Sequence, residues 1–212
     1  MIVTRRDLMK AAAAATLMTS LPPWALAKDV DPFQWVLQMS NQVLDRIKKD
    51  PALKSGDLKA INQLVDGVIL PNVDFTMMTR MTVGPKWRQA TPEQRQALQD
   101  GFRELLIRVY SGALSKVADH KAELLPTRNT AVQDEMVIRT QLKSSSQQPI
   151  GMDYRIYRAK SGGWKIVDVN VEGVWMVENY RSQFSSVLNQ DGIDGLIREL
   201  KARAEKAEAQ AK

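Results

Sequence analysis

The 212-residue chain has no cysteine and a single histidine, and these two shortages exclude much of the chemistry open to a protein of this size. Without cysteine there is neither a disulfide nor a thiolate nucleophile, so stability must come from packing. Structural zinc asks for four Cys or His ligands and catalytic zinc usually for three protein ligands, sets that this composition is not expected to supply. The chain also lacks a Gly-x-Ser-x-Gly nucleophile elbow and a Gly-x-x-x-x-Gly-Lys-Ser/Thr phosphate loop. His120 stands alone near the end of a helix, with Ser111 and Ser115 as its nearest serines in sequence. Histidine commonly complements a helix C-terminus in this way. Asp168 and Glu172, read on one face of a strand with Asn170, are separated by roughly 13 Å of backbone rise, too far for a glycosidase pair. The expectation is a protein that is not an enzyme. It needs no cofactor or metal.

Long apolar runs are missing as well. Arg5, Arg6 and Lys10 precede an uncharged stretch from Ala11 to Leu21, followed by Ala25-Leu26-Ala27. That order is a signal peptide with a small-residue cleavage site, and its apolar part is shorter than the roughly 20 residues that span a bilayer. Thr4-Arg5-Arg6-Asp7-Leu8-Met9-Lys10 also resembles a twin-arginine export signal, and an ordinary basic leader fits the same residues. Either route delivers the chain outside the bacterial cytoplasm, so the periplasm is expected. Cleavage after Ala27 leaves 185 residues, which suits one domain. Residues 28–203 are expected to form it, with 204–212 as a frayed, charged tail. The whole chain carries 30 Lys and Arg against 24 Asp and Glu, a net charge of +6. These charges are scattered with no basic block, which speaks against nucleic acid.

What is present is patterned apolar surface. Asp31-Pro32 opens a helix that Asp50-Pro51 should stop, and a second helix runs from near Asp57 to Pro71. Asp74 caps a short helix ending near Gly84-Pro85. Thr91-Pro92-Glu93-Gln94 is a capping box that starts a long helix reaching about Val117. After Pro126 the apolar period falls from 3.6 to 2. Strands are expected over Val132 to Leu142, Ile150 to Ile156 and Trp164 to Glu172, with a weaker edge strand near Ala122 to Leu125. A helix follows Gly173, carrying Val177, Tyr180, Phe184 and Leu188, and another starts near Gly192. The predicted fold is α+β, an antiparallel sheet of about four strands packed against N- and C-terminal helices. At Gly173 an oily strand face, read as Val167, Val169 and Val171, meets an oily helix stripe. Such a corner either closes as core or encloses a deep apolar pocket, and the adaptable methionines on the oily faces suit either outcome.

Several motifs, in this order, resemble the MlaC family of periplasmic phospholipid-binding proteins, also described as toluene-tolerance proteins. They include Leu70-Pro71-Asn72-Val73-Asp74-Phe75, Ala90-Thr91-Pro92-Glu93-Gln94-Arg95, Trp164-Lys165-Ile166-Val167-Asp168, Glu172-Gly173-Val174 with Asn179-Tyr180-Arg181, and Gly192-Ile193-Asp194-Gly195-Leu196. Trp175 departs from the resemblance, standing where a small residue, usually serine, is expected. The resemblance implies an apolar pocket for phospholipid acyl chains and a shuttle between an outer-membrane lipoprotein complex and an inner-membrane ABC transporter bearing a lipid-binding ring. Bound phospholipid is the cargo and one copy of the chain the carrier. Expected pocket residues are Val73, Phe75, Met78, Phe102, Leu106, Val109, Met136, Ile138, Met152, Tyr154, Val167, Val169, Val171, Val174 and Phe184. Arg80, Trp175, Tyr180 and Arg181 are expected at the mouth. A small periplasmic enzyme on the same concave sheet, or an adaptor with a filled core, are the alternatives.

Overall fold

The structure is a computed structural model that describes residues 30–127 and 131–211; the expected signal peptide lies outside them. Local signals set the N-terminal helices. Asp31 accepts a hydrogen bond from the Phe33 amide and Pro32 sits at the first position of α1, Pro32–Lys49. Arg46, Lys48 and Lys49 lie in its last turn, where cations oppose the helix dipole favourably. Asp50 ends α1 and caps a further short helix, α2, Pro51–Lys54, by accepting from the Ala52 amide. Asp57 caps α3, Leu58–Leu64. The helix expected to run on to Pro71 instead widens to a π turn at Val65–Ile69 and tightens to a 3₁₀ turn at Leu70–Asn72. Pro71 has no N–H to offer the Gly67 carbonyl, so a regular α ladder cannot continue.

Asp74 accepts from the Met77 amide at the start of α4, Phe75–Val83, and Gly84 at φ +70° turns the chain into a 3₁₀ segment, Gly84–Gln89. The capping box forms at α5, Pro92–Tyr110, with both Thr91 and Gln94 bonds made. The helix expected to reach Val117 breaks at Ser111–Ala113 before resuming as α6, Leu114–Val117. Ser111 and Gly112 are poor interior helix residues, and the Ser111 hydroxyl donates back to the Arg108 carbonyl.

The sheet is an antiparallel meander of five strands in chain order, one more than expected: β1 Lys121–Leu124, β2 Glu135–Lys143, β3 Ile150–Arg158, β4 Trp164–Val171 and β5 Val174–Trp175. Val132, expected in a strand, precedes β2 and is exposed. Glu172 and Gly173, both at positive φ, form a two-residue turn between β4 and β5, the geometry that matches strand twist. The helix expected directly after Gly173 therefore starts two residues later, as α7, Met176–Gln190. The last helix is α8, Gly192–Ala211, in which Ala204 is buried and Glu208 pairs with Arg108 on α5. Gly101 lets the two helices approach, since a Cβ there would lie 3.1 Å from the Leu200 Cβ.

One face of the sheet carries Ile138, Tyr154, Ile156 and Ile166 against Val36 and Met39 of α1. Asn41 of α1 reaches the β1 edge, its amide donating to the Ala122 carbonyl and its oxygen accepting from the Ala122 N–H at 2.9 Å. A second core joins α4, α5, α7 and α8 around Phe102.

Candidate functional site

The valine strand is irregular in its pairing. A β-bulge falls between β3 and β4, so Ile166 pairs with Ile156 while Asp168 pairs with Arg155. Val167 is the extra residue, buried and without a partner on β3. The face of Val169 and Val171 extends across neighbouring strands: Leu124, Thr140, Met152, Val171 and Val174 oppose one another across all five strands, and Ile138, Tyr154 and Val169 form the next row. Coverage fades along it. Ile138 and Thr140 are fully buried beneath α1, Met152, Val169 and Val171 are partly buried, and Val174 is 54% exposed. The result is an apolar strip with one end uncovered.

A buried relay orients part of this strip. Ser40 of α1 donates to the Tyr154 hydroxyl at 2.9 Å, and that hydroxyl donates to the Met152 sulfur at 2.8 Å. Burial pushes the Tyr154 hydroxyl up to about 12 despite the Ser40 bond, so it remains a donor throughout the neutral range. Met152 is thereby held by its sulfur, unlike a freely repacking methionine.

The other expected pocket residues divide. Met78, Phe102 and Phe184 are buried in the helical core, with Phe75 and Leu106 packed against it. Val73 joins that core to the sheet, through a bridge to Ile166 and packing against both clusters. Met136 borders the α1 side of the sheet. Val109 is 46% exposed near the end of α5. The interior thus forms separate apolar clusters, linked by partly buried side chains such as Val43, Val73, Val117 and Met152, where one contiguous core is usual.

The mouth candidates also separate. Tyr180 is buried among Phe102 and Phe184, and its hydroxyl, bonded to Tyr110, is pushed well above the ordinary tyrosine range by burial. Arg80, Trp175 and Arg181 line a groove of about 1180 Å³, but on the opposite side of β4 from Val169 and Val171. Trp175 pairs with Asn170, and Arg155 stacks on its indole at 4.7 Å.

Trp175 occupies the N-cap position of α7 and offers no side-chain cap. The missing acceptor comes from β4: Asp168, 2% exposed, accepts from the Val177 amide at 3.0 Å and the Val169 amide at 2.9 Å. Its second oxygen lies 4.0 Å from Arg155. Burial raises the Asp168 pKa, and the two amides and Arg155 offset only part of that rise. A raised carboxylate contributes its stability below its unfolded value and loses it as pH rises through the folded value. Asp168→Asn should keep the cap and flatten that part of the stability–pH curve, which lies above the ordinary carboxylate range. Asp168→Ala should cost about 1–3 kcal/mol by orphaning the Val177 amide, measurable by urea denaturation. Sequence spacing did not reveal this role, because a cap taken from another element leaves no local pattern.

His120 is 5% exposed, and among the described residues neither ring nitrogen has a hydrogen-bond partner. The Ser111 hydroxyl is committed to Arg108. Replacing His120 with leucine removes an unsatisfied polar group, and should stabilise the fold by about 1–2 kcal/mol, read as a higher Tm.

Fold and strip together define a small α+β domain suited to holding an apolar ligand against its sheet. The MlaC protein family model matches residues 37–202, and the chain belongs to that family. It is similar to the intermembrane phospholipid transport system binding protein of Haemophilus influenzae, 23% identical over 178 residues and 83% of each chain. A toluene tolerance protein of Pseudomonas putida is 23% identical over 91% of this chain and 86% of its own. Among solved structures, the phospholipid-binding protein of Ralstonia solanacearum, in complex with a phospholipid, shares 38% identity at TM-score 0.78, covering 84% of this chain and 98% of that one.

Proposed function

We propose that this protein is a periplasmic phospholipid carrier whose acyl-chain site is the strip formed by Met152, Val169, Val171 and Val174. The observation that supports it best is the incomplete coverage of that strip in a chain 38% identical to a protein solved with phospholipid. In this reading the carrier serves an outer-membrane lipoprotein complex and an inner-membrane ABC transporter with a lipid-binding ring, and acts without catalysis or cofactor. Each methylene exposed to water costs about 0.8 kcal/mol, so two chains of some 15 methylenes cost on the order of 24 kcal/mol in free solution. Passing from bilayer to protein exchanges one apolar environment for another and leaves only a small net change. Hand-over can then run either way, with direction imposed by the transporter. Among the described residues, no helix is long and apolar enough to cross a membrane.

Organic-solvent extraction of the purified protein followed by mass spectrometry tests the reading. About one phospholipid per chain is the expected yield. Protein free of lipid, and unable to take any up from phospholipid vesicles, would favour an adaptor with a filled core.

A further inference from the structure

The groove on the outer side of β4 has no part in the acyl-chain site, yet its composition is unlike the rest of the surface. Five arginines line it, Arg80, Arg88, Arg95, Arg155 and Arg181, with Asp168 and Glu178 as the carboxylates. Asp168 is already committed to Arg155 and the start of α7. Among the described residues, no carboxylate lies within ion-pair distance of Arg80, Arg88 or Arg181, and all three are exposed. The groove therefore carries an excess of positive charge that the protein itself does not neutralise.

Two of the arginines are fixed in advance. Arg155 stacks on Trp175 at 4.7 Å. Arg95 lies 5.6 Å from the Trp87 ring centre and donates to the Trp87 carbonyl at 3.3 Å. Stacked guanidinium groups lose less freedom on binding and offer paired N–H donors to carboxylates. Of the remaining three, Arg80 stands on α4, Arg88 in the 3₁₀ segment that follows it, and Arg181 on α7 with its guanidinium beside Gly84. The groove, about 1180 Å³ in volume, admits an extended chain of complementary charge.

We propose that this groove docks an acidic polypeptide segment of a protein partner, its Asp and Glu side chains pairing with the arginines. The inference rests on the carrier reading only in giving the partner a purpose, since a carrier must dock wherever it loads or unloads. Cargo and partner would occupy opposite sides of β4. Trp175 then has a positive role, holding Arg155 in place where a serine could not.

The test is fluorescence anisotropy of a labelled ten-residue Asp/Glu-rich peptide titrated with the purified protein at low and moderate salt. Binding that weakens with salt, and that disappears when the peptide's acids are replaced by Asn and Gln, is expected. Arg88→Glu combined with Arg181→Glu should weaken it at least about tenfold, while Arg198→Glu on α8 should leave it unchanged. Equal peptide binding by the double variant would overturn the proposal. Absence of peptide binding, alongside arginine-dependent binding to vesicles of phosphatidylglycerol and phosphatidylcholine, would also overturn it in favour of a membrane surface. Arg88→Glu alone should also weaken the peptide while its extracted phospholipid matches that of the parent protein, so loss of docking is read separately from loss of cargo.

Discussion

Phe102→Ala should lower the unfolding free energy by about 3–5 kcal/mol, read from the urea midpoint at unchanged slope. Phe102 is 1% exposed and meets three other rings: Phe75 on α4 at 5.8 Å, and Tyr180 and Phe184 on α7 at 5.1 and 5.9 Å. The two α7 contacts are edge-on, the arrangement that adds attraction beyond area burial. Truncation removes the ring at the junction of three helices, and its rigid neighbours cannot collapse into the space. Domains are commonly stable by only about 5–15 kcal/mol, so Phe102→Leu, a smaller deletion, gives a second reading if the alanine variant fails to fold. A loss below about 1 kcal/mol for alanine would show that the helical core is not closed around this residue.

Met152→Trp should reduce extracted phospholipid from about one per chain towards none while leaving the fold intact. The side chain is partly buried, bordered across the strands by Thr140 and Val171, and anchored by the Tyr154 hydroxyl. An indole there projects over the strip proposed for the acyl chains and occupies the cargo's volume. Were the same space filled by protein, the larger ring would strain the core and cost about 1–3 kcal/mol. Lipid content and Tm together separate the outcomes. Lost lipid with a preserved Tm supports the carrier, whereas a lowered Tm with no lipid in either protein supports a filled interior. Val169→Trp, one row away on the same face, should repeat the result.

Helix starts were legible because their chemistry is local. Asp31, Asp57, Asp74 and Thr91 each cap the helix that follows them. The alternating strands and the weak β1 were legible for the same reason. The bulge at Val167 was not legible because it depends on the partner strand: one extra residue shifts the alternation, and nothing in β4 alone announces it. Arg80, Trp175 and Arg181, expected at the mouth, line one groove, and the side of the sheet on which they meet follows from the β4–β5 register. Asp168, Ser40 and Asn41 were missed as partners because each acts across a gap in sequence, on Val177, Tyr154 and Ala122.

The Asn41 contact bears on how the sheet keeps foreign strands from joining it. A sheet of five strands has two lateral borders, and each is a template on which a foreign strand can polymerise. At β5 that border is only two residues long. At β1 the Asn41 carboxamide already satisfies both backbone groups of Ala122, imitating a sixth strand with a single side chain. The β1 edge thus presents little free ladder for amyloid-like addition, and α1 provides that protection as part of the native fold.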